Sequence, residues 1–448
     1  MFARLFAALF GTRTGRTATV EAPQVQSRET RPAPSFLRRE ALLDRRQQVA
    51  AYIFSVERPQ RHWSAASEKF FDASLIAQFR DGRMQPVLGK RLAFLPLGPG
   101  GLEHPDLSRL PRENLVIVFA PPADAVLDRE TVLAGLKRLV DMGLTLACGQ
   151  DLERRGMAEA LAWSRYIVLD GLAGADPTLL LDRVHHLTKA YPEAHLVARQ
   201  VDSQELYEAC RQMGMALFQG DFVTHRPAQP GKNLSPYRMV VVELLNGVRR
   251  QADFDELAGI AWYDPALAYR LLHFVNSAAF GLREKVDNVK RAMTYVGRDE
   301  LYRWLTLLLF SLGKETHPLD EALRENALVR ARLAEQLAQG RLSAKACDEV
   351  FVVGILSVMD ALFEMPMADI LAQLTLPEAM GQALLRREGP YASYLRLAIA
   401  CEESDRDTID ALAAACDHDA LQVNQRHIEA LAWALGVSEA LEESSLAH

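Results

Sequence analysis

The chain has 448 residues, about half of them apolar, and a formal charge of -7; that length exceeds what one hydrophobic core normally supports, so more than one domain is expected. An acidic balance gives no general attraction to nucleic acid or anionic membrane, and no specific nucleic-acid partner is expected. Five scattered cysteines, Cys148, Cys210, Cys347, Cys401 and Cys416, contain no Cys-x-x-Cys pair, which argues against a disulfide framework and a zinc site and favours a reducing cytoplasm.

No stretch approaches the roughly 20 apolar residues of a membrane span. Met1 to Gly11 can set Phe2, Phe6 and Leu9 on one helical face. It is a poor signal peptide, because Arg4 interrupts a short apolar run and no small-residue cleavage site follows. A loosely ordered terminus is the preferred reading, with weak membrane contact through residues 1–11 as the alternative. From Thr12 to about Pro34 there is no apolar period, and residues 1–37 read as a disordered or peripheral arm. The first 50 residues carry nine Arg against four acids, so this end is locally basic.

Residues 38–230 alternate short apolar runs with amphipathic helices. Leu115 to Ala120 predicts a buried strand and Arg129 to Met142 a helix; Leu144 to Cys148 and Tyr166 to Asp170 predict further strands. Asp176-Pro177 opens a helix that runs to Tyr191, His195 to Val201 is a strand, Ser203 to Met213 a helix, and Leu217 to Val223 a closing strand. Such alternation implies parallel strands with helices outside, as an open doubly wound sheet or a closed β/α barrel. No Gly-x-Gly-x-x-Gly follows any strand, which weighs against a dinucleotide-binding sheet.

The element order, together with Ile167-Val168-Leu169-Asp170, Ala198-Arg199-Gln200-Val201-Asp202-Ser203 and Phe218-Gln219-Gly220-Asp221-Phe222, resembles the EAL domain, a barrel that hydrolyses cyclic di-GMP. The resemblance implies a TIM-like barrel with its chemistry at the C-terminal strand ends, where EAL enzymes gather carboxylates around two divalent cations. This chain departs from that pattern. Ile53 stands where the family has its metal-binding Glu, and Glu57 lies about 13 Å further along the strand. No carboxylate occurs between Glu113 and Asp124, Gly149-Gln150 replaces paired aspartates, Val168 replaces a Lys, and Arg199 opens the segment that should begin with Glu. Asp151 substitutes only if the alignment slips by one residue, which turns its side chain to the other face. Asp170, Asp202 and Gln219 remain, and three scattered groups do not hold two cations. The expectation is no catalytic residue, no metal and no cofactor. Asp170, Arg199, Asp202 and Gln219 are remnant positions that could contact cyclic di-GMP in a sensor; strand-end hydrogen bonding is the preferred reading.

Arg226 to Pro236, with three prolines and a glycine, reads as a linker. Every confident element beyond it, in residues 235–448, is helical. The segment Asp264 to Gly281 is a fully specified helix: Asp264 can cap it, Pro265 suits the first position, and Leu267, Leu271 and Val275 recur at helical spacing. Asp264-Pro265-Ala266-Leu267, Leu271-Leu272 and Val275-Asn276-Ser277-Ala278, followed by Ala292, Val296 and Gly297, resemble the HDOD domain, a helical relative of HD-type phosphohydrolases found in bacterial signalling. The hydrolases' His-Asp pair corresponds to Ser357-Val358, with Asp360 on another helical face. His418-Asp419 is better explained as a helix start, and His185-His186 diverge by about 100° and chelate one ion poorly. Trp262, Tyr263, Tyr302 and Trp304 cluster around the signature as core residues or as partner-facing anchors.

The sequence therefore points to a multidomain, catalytically silent signalling protein, a degenerate EAL-like barrel joined to an HDOD domain and acting by protein–protein interaction. A cyclic di-GMP sensor is the alternative, and an active phosphodiesterase a distant third. Self-association is left open.

Overall fold

The computed structural model describes residues 36–445 except for 57–64, 83, 120, 122–124, 173, 175, 224–225, 227, 230–231, 277–284, 312–319 and 404–405. The arm with its candidate membrane-contact segment, Glu57, Asp124, Ser277 and Gly281 lie outside the described residues. The chain divides into two compact units, one containing Ser35–Arg226 with Ala400–Asp410 and the other Pro227–Ile399 with Ala411–His448.

In the first unit eight strands close into a barrel in chain order. They are β1 (Leu37–Leu43), β2 (Val49–Val56), β3 (Leu92–Leu97), β4 (Leu115–Phe119), β5 (Thr145–Gly149), β6 (Tyr166–Leu169), β7 (His195–Ala198) and β8 (Leu217–Phe218). The open sheet is thereby excluded. From β2 to β8 all neighbours are parallel, as the alternating pattern requires. β1 differs, running antiparallel to both β2 and β8. A tight turn makes that reversal: Asp44 Oδ1 accepts from the backbone N–H of Arg46 at 2.7 Å and of Gln48 at 2.9 Å, while Gln47 takes φ 64°.

The interior is apolar at the level of Leu42, Ile53, Phe94, Val116, Val168 and Val197, which form one packed cluster. The outward residues of the same strands, such as Ile117 and Phe119, are also buried. Burial on both faces explains why these strands read as unbroken apolar runs. The covering helices begin where caps dictate: Asp128 accepts from Thr131, Asp176 from Thr178 ahead of Pro177, and Ser203 from Leu206. The segment predicted as a strand through Val223 is strand only at Leu217–Phe218, then a short 3-10 turn from Asp221 to Val223. Gly220 imposes the break. Its φ is +156°, and a Cβ there would stand 2.0 Å from the Val201 carbonyl oxygen, so two loops at the barrel mouth approach backbone to backbone.

The second unit is helical among its described residues. Asp320–Ala338 packs against both Ala344–Leu356 and Ala420–Ser445. Gly354 permits the first contact, since a Cβ there would lie 2.4 Å from Ala331 Cα. Part of the expected linker is held on this unit: Gln229 donates its backbone N–H to the Glu364 carbonyl at 2.8 Å, and Lys232 Nζ lies 2.7 Å from the Glu364 carboxylate.

Candidate functional site at the barrel mouth

The C-terminal ends of β6, β7 and β8 carry the polar residues singled out in the sequence, and the structure joins most of them. Beyond β7 the backbone N–H of Arg199 donates to the Leu169 carbonyl at 2.9 Å, which sets Arg199 beside the end of β6. Its Nη1 lies 3.3 Å from Asp170 Oδ1. Gln200 adopts φ 58° and links three strand ends: its backbone N–H donates to Gln219 Oε1 at 3.3 Å, and its own Oε1 accepts from the Gly171 N–H at 3.1 Å. Asp202 is exposed beyond Val201 and takes no part in this network.

Sequence reasoning missed Glu40. It sits on β1 directly opposite Ile53, sharing a strand face with Arg38 and Leu42. Gln219 Nε2 donates to Glu40 Oε2 at 2.6 Å, and Arg38 Nε lies 3.2 Å from Oε1. The available signal was the alternation Arg38, Glu40, Leu42 before a turn-forming Asp44. Two adjacent arginines and no continuous apolar run concealed the strand. Ile53 itself is buried at 5% exposure, and Val168 at 3%.

At the end of β5, Gly149 is followed by Gln150 and a helix opening at Asp151. Asp151 Oδ2 lies 2.9 Å from Arg155 Nε, and a Cβ on Gly149 would stand 2.6 Å from Asp151 Oδ1. Gln150 is fixed by Arg183, whose Nε donates to its Oε1 at 3.0 Å and whose Nη2 donates to its carbonyl at 2.9 Å. Arg183 Nη1 also donates to Glu153 Oε2 at 2.7 Å, while Glu153 Oε1 accepts from Tyr191 at 3.0 Å and faces His186 Nε2 at 2.9 Å. Burial alone would raise the Glu153 pKa, but His186, Arg183 and Tyr191 together hold it down at about 2. Burial and the same carboxylate push Tyr191 up to about 12. Of the two adjacent histidines, then, His186 serves a carboxylate and His185 is exposed.

In the helical unit, the signature helix spans Pro265–Val275. Asp264 Oδ1 accepts from the N–H groups of Ala266 at 2.9 Å and Leu267 at 3.2 Å, Pro265 occupies the first turn, and Leu271 is fully buried. The helix ends at Asn276, whose Nδ2 donates to the Val286 carbonyl at 2.6 Å and whose Oδ1 accepts from the Val286 N–H at 2.7 Å. Gly297 closes the next helix, Val289–Val296, at φ 79°. Of the four aromatics, Tyr302 and Trp304 are buried, the latter stacked on Phe274 at 5.5 Å, whereas Trp262 is 60% and Tyr263 81% exposed. Ser357 and Val358 are buried, Ser357 donating to the Gly354 carbonyl at 2.7 Å. His418 Nε2 contacts the Leu337 carbonyl at 2.9 Å, and Asp419 caps the following helix through Gln422 N–H at 2.8 Å. Among the described residues no group of three His, Cys, Asp or Glu side chains could hold a metal ion, and no helix is long and apolar enough to cross a membrane.

Residues 234–379 match the HDOD domain. The chain is 28% identical over 246 residues to the uncharacterized protein YuxH of Bacillus subtilis, a match covering 54% of this chain and 59% of that protein. It is 24% identical over 302 residues to the cyclic di-GMP phosphodiesterase CdgJ of Vibrio cholerae, covering 64% of this chain and 69% of CdgJ. Among solved structures, a Klebsiella pneumoniae BlrP1 manganese/cyclic di-GMP complex is 19% identical with a TM-score of 0.34, covering 45% of this chain and 57% of that one. Residues 234–379 are thus an HDOD domain, preceded in the chain by a closed eight-stranded β/α barrel.

Proposed function

We propose that this chain is a catalytically silent, cytoplasmic signal-transduction protein related to cyclic di-GMP signalling, and that it acts by binding other proteins. The observation that carries the reading is the chemistry around Ile53. A pair of hard divalent cations needs several converging oxygen donors. Here the interior strand positions are Ile53, Val116, Val168 and Val197, and the nearby carboxylates Glu40 and Asp170 each face an arginine, at 3.2 and 3.3 Å. These residues do not fit the metal pair that the EAL resemblance implies. The relative CdgJ is named a cyclic di-GMP phosphodiesterase, which supports the relation to cyclic di-GMP signalling but says nothing of this chain's own donors.

Protein binding is supported by Trp262 and Tyr263, exposed immediately before the signature helix while their neighbours Tyr302 and Trp304 are buried. Exposed aromatics are typical anchors of protein interfaces. The sensor alternative rests on Arg199 and Gln219 at the barrel mouth. The test is capture of partners from the native cell by the full chain, beside equilibrium titration with cyclic di-GMP. The reading expects a partner that is lost in Trp262→Ser/Tyr263→Ser at unchanged thermal midpoint, and no saturable nucleotide binding. Saturable binding removed by Arg199→Ala would replace it with the sensor.

A further inference from the structure

The segment that leaves the barrel is gathered onto one carboxylate of the helical unit. Lys232 donates its backbone N–H to the Gln229 carbonyl at 3.3 Å, and the two residues between them in the sequence, Pro230-Gly231, are a pair that β-turns favour at their centre. The turn brings two donor side chains together. Gln229 Nε2 and Lys232 Nζ both donate to Glu364 Oε2, the second at 2.7 Å, while the Gln229 backbone N–H donates to the Glu364 carbonyl at 2.8 Å. The Glu364 side chain is only 15% exposed and that of Lys232 37%, so the carboxylate is better shielded from water than in an ordinary surface pair.

Glu364 is an unusual residue for its place. It ends the helix Met359–Phe363 at φ 51° and ψ 42°, a left-handed conformation that helix ends commonly give to glycine. Glycine would adopt it without strain but has no carboxylate to offer Gln229 and Lys232. Beyond these two residues Leu234 is buried and Ser235 caps the helix Pro236–Arg249, so a hold on this unit remains there when the Glu364 contacts are broken. Five residue steps separate Gln229 from Leu234, up to about 17 Å of extended chain.

We propose that Glu364 is the catch of a linker latch. Engaged, it withholds residues 229–233 from the chain free to run between the two units; released, it adds them, so the reach of one unit from the other depends on a single carboxylate. A contact made to a partly exposed lysine weakens with salt, which makes the latch responsive to ionic strength. The test is small-angle scattering and trypsin digestion of the full chain, with the parent beside Glu364→Gly, a variant that suits the left-handed backbone, and Lys232→Gln. Lys232 is the one tryptic position between Pro227 and Tyr237, because Arg226 precedes a proline. Its side chain cannot enter the protease while paired, so Glu364→Gly should be cut after Lys232 about tenfold faster at low salt. The largest dimension of that variant should exceed the parent's by about 10 Å or more, and raising salt from about 0.05 to 1 M should move the parent toward it. Lys232→Gln, changed at a partly exposed side chain, should show part of the same growth even if Glu364→Gly folds poorly. Equal cleavage of the parent and Glu364→Gly, or one largest dimension shared by the parent and both variants, overturns the proposal.

Discussion

At the barrel mouth Asp170 meets Arg199 at 3.3 Å with the carboxylate about half exposed, whereas Asn276 in the helical unit exchanges two hydrogen bonds of 2.6 and 2.7 Å with the backbone of one residue, Val286. The first contact ties together two side chains that water could satisfy. The second leaves a backbone N–H and C=O without partners if it is lost. Of the residues that match the EAL pattern, Asp170 and Asp202 are thus loosely engaged and only Gln219 is bonded on both sides, while those of the HDOD signature cap, clamp and turn the chain: Asp264, Asn276 and Gly297. A motif can persist because the fold needs it, and the two halves of this molecule separate that cause from chemistry.

The comparison can be broken by mutation. The largest effect is expected where backbones touch: Gly220→Ala forces a Cβ into Val201 and should cost about 3 kcal/mol or more, read as a shift in denaturant midpoint. An unchanged midpoint would mean the loops after β7 and β8 are not held as described. Asn276→Ala should cost about 2–3 kcal/mol, since two buried backbone groups lose their partners. If instead stability holds and partner capture fails, Asn276 belongs to an interface.

Glu153 sharpens the picture through pH. Its folded pKa of about 2 lies below the ordinary glutamate value of 4.5, so its contribution is fully present above pH 4.5 and is lost as pH falls toward 2. Glu153→Gln should remove about 2 kcal/mol at neutral pH and flatten the acid limb of the stability curve; an unaltered limb would contradict the network with Arg183, His186 and Tyr191. Asp264→Ala should cost about 1 kcal/mol as a lost cap. Asp170→Asn should cost less than about 1 kcal/mol, as exposed ion pairs do.

Much of this was legible in the chain. β4 to β7 announced themselves as apolar runs because both faces are buried, and caps such as Asp176 and Asp264 marked helix starts to within a residue. β1 was not legible, since Arg38 and Glu40 point into the barrel where a strand pattern predicts apolar side chains, nor was β3, where Pro96 interrupts Leu92–Leu97. Without β1 the carboxylate opposite Ile53 could not be found.

The measurement closest to the central claim is incubation of the purified full chain with cyclic di-GMP and excess magnesium or manganese. The proposed reading expects the nucleotide to remain intact, because Ile53, Val168 and Arg199 occupy the positions where the EAL resemblance implies donor and catalytic groups. Metal-dependent appearance of linear product that disappears in Asp170→Asn or Glu40→Gln would contradict the account and make the barrel an enzyme.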